Sequence, residues 1–340
     1  MNNSTPPGSE EHACFKVDIF PLFIFAFLVN IFALLAVLKA PPRSTTTNAA
    51  RQIHLLICCL SASDTVSVGL QCLMPIASFI NCGWWGGQTT CSLFGYLNAI
   101  LIIWSAWIVA LLSFQRFLCT VSPFKHQCKF TTKRIKKALL LLFLFTSAFF
   151  TPPLLGIGEF VYYKTGQFCS LSLTPTGLSD SIFLSLVVAH GFVCVFLILF
   201  FSLHVIFSLK ARRRVFQGRI PRAVEDSTST FVALTKAIAF VFCICNFPLL
   251  IRMAVDIGKQ TSRDELGLEH TLTMALLFAN PLTNPFIYVA CRRRYRNSLK
   301  LLFCRQCNGV APADNLAFVI VYAARSFKRG RSAKQATSYL

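Results

Sequence analysis

The chain has 340 residues, 55% of them apolar and only 14% charged, with 34 Phe and a mean hydropathy of +0.60. A water-soluble domain carries about 25% charged residues, so a soluble enzyme, a disordered chain and a nucleic-acid-binding domain are poor readings; lipid has to replace water around this much apolar surface. The formal net charge of +20 agrees, because the basic residues cluster in short connections between apolar stretches, the pattern of loops facing anionic cytoplasmic lipid.

About 20 apolar residues of α-helix cross about 30 Å of hydrocarbon. Seven stretches qualify: Val17–Leu38, Ile53–Ile80, Ser92–Val121, Ala138–Gly158, Leu178–Leu209, Thr230–Val255 and Leu268–Ala290. No series of period-two strands is evident, which argues against a lipid-facing barrel. The expected fold is all-α: a seven-transmembrane helix bundle over residues 17–290, then a short amphipathic cytoplasmic helix over 291–303. Residues 1–16 form an N-terminus outside the membrane and 304–340 a cytoplasmic tail.

Orientation follows from the basic residues. Glu10, Glu11 and Asp18 precede or open the first span, and Lys39, Arg43 and Arg51 follow it. Lys125 to Lys137, Arg212 to Arg222, and Arg292, Arg293, Arg294 and Arg296 place the connections after spans three, five and seven on the same side. Acidic Glu159, Asp180, Asp256, Asp264, Glu265 and Glu269 mark the opposite loops. The N-terminus is therefore expected outside and the C-terminus inside a plasma-membrane protein. The start of the chain lacks the basic n-region of a cleavable signal, so the first span is expected to direct insertion. Asn2 and Asn3 each open a glycosylation triplet on the outer side.

Of the fifteen Cys, most fall within spans, where a thiol is a small apolar filler. Cys14, Cys82, Cys91 and Cys169 fall at the outer surface, where oxidising conditions permit bridges. Pairing Cys91 with Cys169 would pin the loop after span four across the mouth of the bundle. Cys14 and Cys82 are either a second pair or two free thiols. Cys304 and Cys307 follow the amphipathic stretch and are candidates for palmitoylation, or reduced cytosolic thiols.

Ionisable groups at mid-membrane are costly and usually functional. Asp64 lies midway along span two, with Asn30, Ser105, Asn280 and Asn284 at similar depth. These form either a nest for a hydrated sodium ion or a hydrogen-bond network joining helices; no other cofactor is expected. Arg116 lies about 37 Å of helix from Cys91, at the inner boundary. It either snorkels to lipid phosphates or acts as a switch toward a cytosolic partner. Pro248 in span six and Pro281 and Pro285 in span seven interrupt helices beside the polar residues, which suits a bundle with two arrangements.

These residues together resemble the rhodopsin-like G-protein-coupled receptors. The likeness is carried by the seven spans, Cys91 and Cys169, Asp64, Arg116 before Pro123, Pro248 and Asn284-Pro285-Phe-Ile-Tyr288. Trp85-Gly-Gly-Gln88 and Cys245-Asn-Phe-Pro-Leu-Leu-Ile-Arg-Met-Ala-Val255 are most similar to prostanoid receptors, especially those for prostaglandin E. The resemblance implies a non-enzymatic receptor in which Gln115, Arg116, Asn246, Pro248, Pro285 and Tyr288 form the activation switch and a heterotrimeric G protein is the partner. The departures are informative. Ala275 stands where prostanoid receptors carry the Arg that holds the ligand carboxylate, and Phe168-Cys169 replaces their Trp-Cys pair. Gln115 replaces the acidic residue that restrains the switch arginine, so raised basal activity is expected unless other groups hold Arg116.

The outer half is rich in Phe and Leu and lacks an acidic residue in span three or a Lys in span seven, which argues against an amine or a retinal Schiff base. A small apolar or lipid ligand is expected. By helical facing, the pocket candidates are Gln71, Met74, Ser78, Asn98, Phe168, Phe247, Ile251, Arg252 and Ala275. Arg252 is either a substitute carboxylate anchor or a snorkelling cation. A non-prostanoid ligand, or activity without any ligand, is the alternative. A transporter would need more charged residues in the spans or matching halves, and neither is evident.

Overall fold

The computed structural model describes residues 20–40, 48–80, 84, 86–121, 130–163, 168–215, 222–259, 268–291 and 293–303. The expectations for Asn2, Asn3, Cys14, Cys82, Cys304 and Cys307 lie outside these residues, as does the side chain of Tyr288. The helices are α1 (Phe20–Leu38), α2 (Asn48–Ile80), α3 (Gly87–Val121), α4 (Thr132–Phe149), α5 (Leu178–Val215), α6 (Arg222–Lys259), α7 (Leu268–Cys291) and α8 (Arg293–Phe303). Between α4 and α5 lie a 3₁₀ turn, Pro152–Leu155, and two antiparallel strands, β1 (Phe160–Tyr163) and β2 (Phe168–Leu171). Consecutive helices pack together, α4 meeting α5 through rings such as Phe149 with Phe183, and α1 meets both α2 and α7, which closes a ring. The third helix runs through the centre, touching α2, α4, α5 and both strands.

Among the described residues, five helices are long and apolar enough to cross a membrane, and Phe23–Leu38 and Leu272–Ile287 are shorter apolar segments of α1 and α7. Apolar side chains cover outward faces as well as the core: Phe240, Ile244, Phe247, Ile251 and Val255 form an exposed stripe along α6. In water such a stripe would be a liability; facing acyl chains it is the stable arrangement.

The ends of the helices depart from the apolar stretches for physical reasons. At 38 residues each, α5 and α6 are about 57 Å long, well beyond the hydrocarbon, so their polar ends extend past it. Hydropathy registers only the part in lipid, which is why span six was expected to start at Thr230 rather than Arg222. Helix α4 begins at Thr132, six residues before the expected Ala138, because the Thr131 hydroxyl caps it by accepting from the Arg134 N–H at 3.3 Å. It stops at Phe149, not at Gly158, because Pro152 and Pro153 cannot continue the ladder. Gly156, at φ 92°, then turns the chain toward the strands. The hairpin itself was not expected: four-residue strands are too short for a period-two signal.

The amphipathic segment is a helix, α8, laid against α1 and α7. It is anchored by Tyr295, 1% exposed, whose hydroxyl lies 3.2 Å from His54 Nδ1 of α2, with the two rings stacked.

Candidate functional site

The hairpin is fastened to one face of α3. Cys91 and Cys169 form a disulfide with Cα atoms 5.4 Å apart. Three residues earlier, Gln88 donates its amide to the Phe160 carbonyl at 2.5 Å. Four residues later, the missing side chain of Gly95 makes a notch for Phe160, which is fully buried; a Cβ there would sit 2.6 Å from the ring. Within the hairpin the Tyr163 hydroxyl donates to the Leu171 carbonyl at 3.1 Å and accepts from the Leu173 N–H at 3.3 Å. Burial pushes that phenol's pKa up, so it remains a donor. On the other edge the Cys169 N–H points to Met74 Sδ at 3.4 Å, and Phe168 packs edge-on against Phe278 of α7.

Beneath the hairpin lies a cavity of about 110 Å³. Asn98, Ala99, Ile102, Ile103 and Ala106 of α3 form one wall; Val187, Gly191, Cys194 and Val195 of α5 a second; Asn246, Leu249, Leu250 and Met253 of α6 a third. Met274 and Leu277 of α7 and Ser170 and Leu171 of β2 complete it. The lining is apolar apart from isolated groups such as Asn98, Asn246 and Ser170, and it includes no charged side chain. That combination suits an apolar ligand oriented by a few hydrogen bonds.

Of the pocket candidates read from sequence, Asn98 lines this cavity. Gln71 is buried behind it, its amide nitrogen donating to Asn98 Oδ1 at 3.2 Å and to Ser67 Oγ at 3.0 Å. Met74, Ser78 and Phe168 are buried at the hairpin end but outside the lining, and the Ser78 hydroxyl makes no hydrogen bond among the described residues. Phe247, Ile251 and Ala275 lie on exposed faces instead, while their neighbours Asn246, Leu250 and Met274 turn inward. Arg252 does not line the cavity and is only partly exposed. Its Nε donates to both carboxylate oxygens of Asp256, at 2.9 and 2.8 Å, and the two side chains are 16% and 3% exposed. Asp256, whose charge suggests an outer loop, belongs instead to α6 and is buried. The i, i+4 spacing of an Arg and an Asp on one helix was the available signal.

Near the middle of the bundle Asp64 is 2% exposed. Its Oδ1 accepts from the Ser105 hydroxyl at 2.9 Å and its Oδ2 from the Asn284 amide at 2.8 Å, which ties α2, α3 and α7 together. Asn280 is buried on α7, and its carbonyl accepts from Thr283. Asn30 turns away from this group and donates to the Ala26 carbonyl of its own helix at 2.9 Å. Pro285 is buried next to Asn284. On α6, Pro248 removes one helical hydrogen bond, and the Asn246 amide donates to the Phe242 carbonyl at 2.8 Å.

At the α8 end Arg116 is 2% exposed, so the snorkelling reading is overturned. Gln115 is fully buried and faces α2, where its amide nitrogen lies 3.4 Å from both Gln52 Oε1 and the Ala49 carbonyl and 3.2 Å from Cys119 Sγ. Gln52 in turn donates to the Phe130 carbonyl at 2.6 Å. The neutral residue that replaced the expected acid therefore joins α3 to α2. No group of three or more His, Cys, Asp or Glu that could hold a metal occurs among the described residues.

The chain is similar to several receptors of known identity. It is 26% identical to the human prostacyclin receptor over 68% of its own length and 60% of that receptor's, so it spans less than two thirds of that relative. It is 24% identical to the human prostaglandin E2 receptor EP3 subtype, covering 86% of this chain and 81% of that one. Mouse cysteinyl leukotriene receptor 2 is 23% identical over 88% and 97%. Among solved structures, squid rhodopsin superposes with a TM-score of 0.68 at 18% identity, covering 88% of this chain and 90% of that one; this establishes the seven-helix fold. The family model described as 7 transmembrane receptor (rhodopsin family) matches residues 29–288. With the Cys91–Cys169 bridge, the Asp64–Asn284 contact and the prolines of α6 and α7 in place, the chain belongs to the rhodopsin-like G-protein-coupled receptors, a family of receptors and not of enzymes.

Proposed function

We propose that this chain is a plasma-membrane receptor, hairpin end outside, that takes a small apolar or lipid ligand in the cavity under the hairpin and activates a heterotrimeric G protein at its α8 end. The observation that carries this is the uncharged, mostly apolar cavity shared by α3, α5, α6 and α7. Asn246, Leu249 and Leu250 of the lining lie within one turn of Pro248, where the helix has lost a hydrogen bond and bends most readily. A ligand that contacts Leu249 and Met253 better in one arrangement of α6 than in another shifts the population accordingly. The prostacyclin, prostaglandin E2 and leukotriene receptors among the relatives support a lipid mediator. The test is a second-messenger reporter across lipid mediators, with Ala99→Phe to fill the cavity. A response that this variant weakens at least about tenfold supports the reading. Solute uptake without any second-messenger response would replace it with a transporter.

The same reading gives Asp64 a sodium ion. A buried carboxylate surrounded by neutral partners fits a hard monovalent cation, which prefers oxygen ligands. Asp64, Ser105 and Asn280 would hold it, and the ion would supply the missing positive charge. Agonist affinity should differ between sodium and choline chloride in the parent and not in Asp64→Asn. A sodium effect retained in that variant excludes this site.

A further inference from the structure

The cavity and the ion pair above it together bear on which ligands can enter. Leu249, Met253 and Asp256 recur at i, i+4 and i+7 along α6, so they share one face. Leu249 and Met253 line the cavity. Asp256 therefore continues the lining stripe, about 4.5 Å further toward the hairpin. It is 2% exposed, and its place three residues beyond Met253 puts it on the hairpin side of the cavity. Arg252, one turn nearer the cavity, is engaged by that carboxylate at 2.8 and 2.9 Å.

We infer that Asp256 determines ligand class: by holding Arg252 and standing at the hairpin side of the cavity, it disfavours carboxylate lipids and leaves the site to neutral ones. This rests on the proposed reading of the cavity as a lipid site. A ligand carboxylate brought under the hairpin finds no charged partner in the lining, and the adjacent guanidinium already has an internal carboxylate. Without a counter-ion a buried carboxylate is strongly disfavoured. A neutral ester, amide or hydroxyl needs only hydrogen bonds, and Asn98 and Asn246 offer both donors and acceptors. The internal carboxylate thus occupies the place that an acidic ligand would otherwise take. Asp256→Asn keeps the size and a hydrogen-bond acceptor for Arg252 but removes the carboxylate charge that competes with an acidic ligand for the guanidinium.

The experiment uses matched pairs that differ in charge: prostaglandin E2 and its methyl ester, and arachidonic acid and its methyl ester. Binding is read as the ligand-induced shift in thermal stability of the full chain in lipid nanodiscs. In the parent at least one ester should bind at least about tenfold more tightly than its acid. In Asp256→Asn the acid should gain at least about tenfold while the ester changes little, and Asp256→Asn/Arg252→Gln should lose the gain. If neither ester binds the parent more tightly than its acid, or neither acid gains in a folded Asp256→Asn, the inference is overturned while the lipid site stands. If no probe binds the parent or either variant, both the inference and the lipid reading fall. The comparison within the parent decides the matter even where Asp256→Asn does not fold.

Discussion

The two ends of the bundle are held together by different chemistry. At the hairpin end the strongest fasteners are a covalent bond and a steric notch, Cys91 with Cys169 and Phe160 in the space over Gly95, with the Gln88–Phe160 hydrogen bond beside them. At the α8 end they are hydrogen bonds among neutral groups: Gln115 with Gln52, Gln52 with the Phe130 carbonyl, and His54 with Tyr295. The first kind is expensive to break and has one geometry. The second kind is worth only about 0.5–1.5 kcal/mol per bond and can exchange partners. The asymmetry suits the proposed function, in which a preorganised cavity gains affinity while the end that would meet a G protein rearranges.

Three substitutions test the contrast, beginning with the largest effect. Cys169→Ser opens a bridge that spans 78 residues of sequence and should cost about 2–5 kcal/mol, seen as a large loss of thermal stability in detergent and of surface receptor. Retention of parent stability would mean that the hairpin is held without the bridge. Gly95→Ala places a methyl group against the buried Phe160 ring and should cost about 1–3 kcal/mol. Pairing it with Phe160→Leu should recover part of the loss, and a double variant as unstable as the sum of the two singles would disprove the notch. Tyr295→Phe keeps the ring stacked on His54 and removes one hydrogen bond, about 0.5–1.5 kcal/mol. Its stability should hardly move, whereas the G-protein-induced rise in agonist affinity should change. A stability loss as large as that of Gly95→Ala would erase the distinction between the ends.

How much of this was legible in the sequence depends on which solvent imposed the signal. Lipid demands long uninterrupted apolar stretches, so the seven spans and the amphipathic α8 could be read directly. Lipid also removes the signal that tells one side of a helix from another. Phe247 and Ile251 on the exposed stripe of α6 are as apolar as Leu249, Leu250 and Met253 in the cavity, so no hydrophobic phase separated them, and the facing of spans six and seven was read about one residue out. Polar residues escaped that ambiguity where they had a partner to find: Asp64, Ser105 and Asn284 do converge. The Arg252–Asp256 pair is hidden in the sequence because an acid near a helix end carries the same charge signature as one in an outer loop. Helix ends were the least legible, since caps such as Thr131 and breaks such as Pro152 act locally and do not alter the mean hydropathy of a span.

Gln88, Cys91 and Gly95 stand at i, i+3 and i+7 on α3, and each grips the hairpin through a different atom: a backbone carbonyl, a sulfur and a ring. A single tether would let the cover swivel like a gate on one hinge pin. Three attachments in a row along about 10 Å of helix fix its heading as well as its distance, so the hairpin travels with α3 as one rigid body, and traffic into the cavity has to come from displacement of α5, α6 or α7.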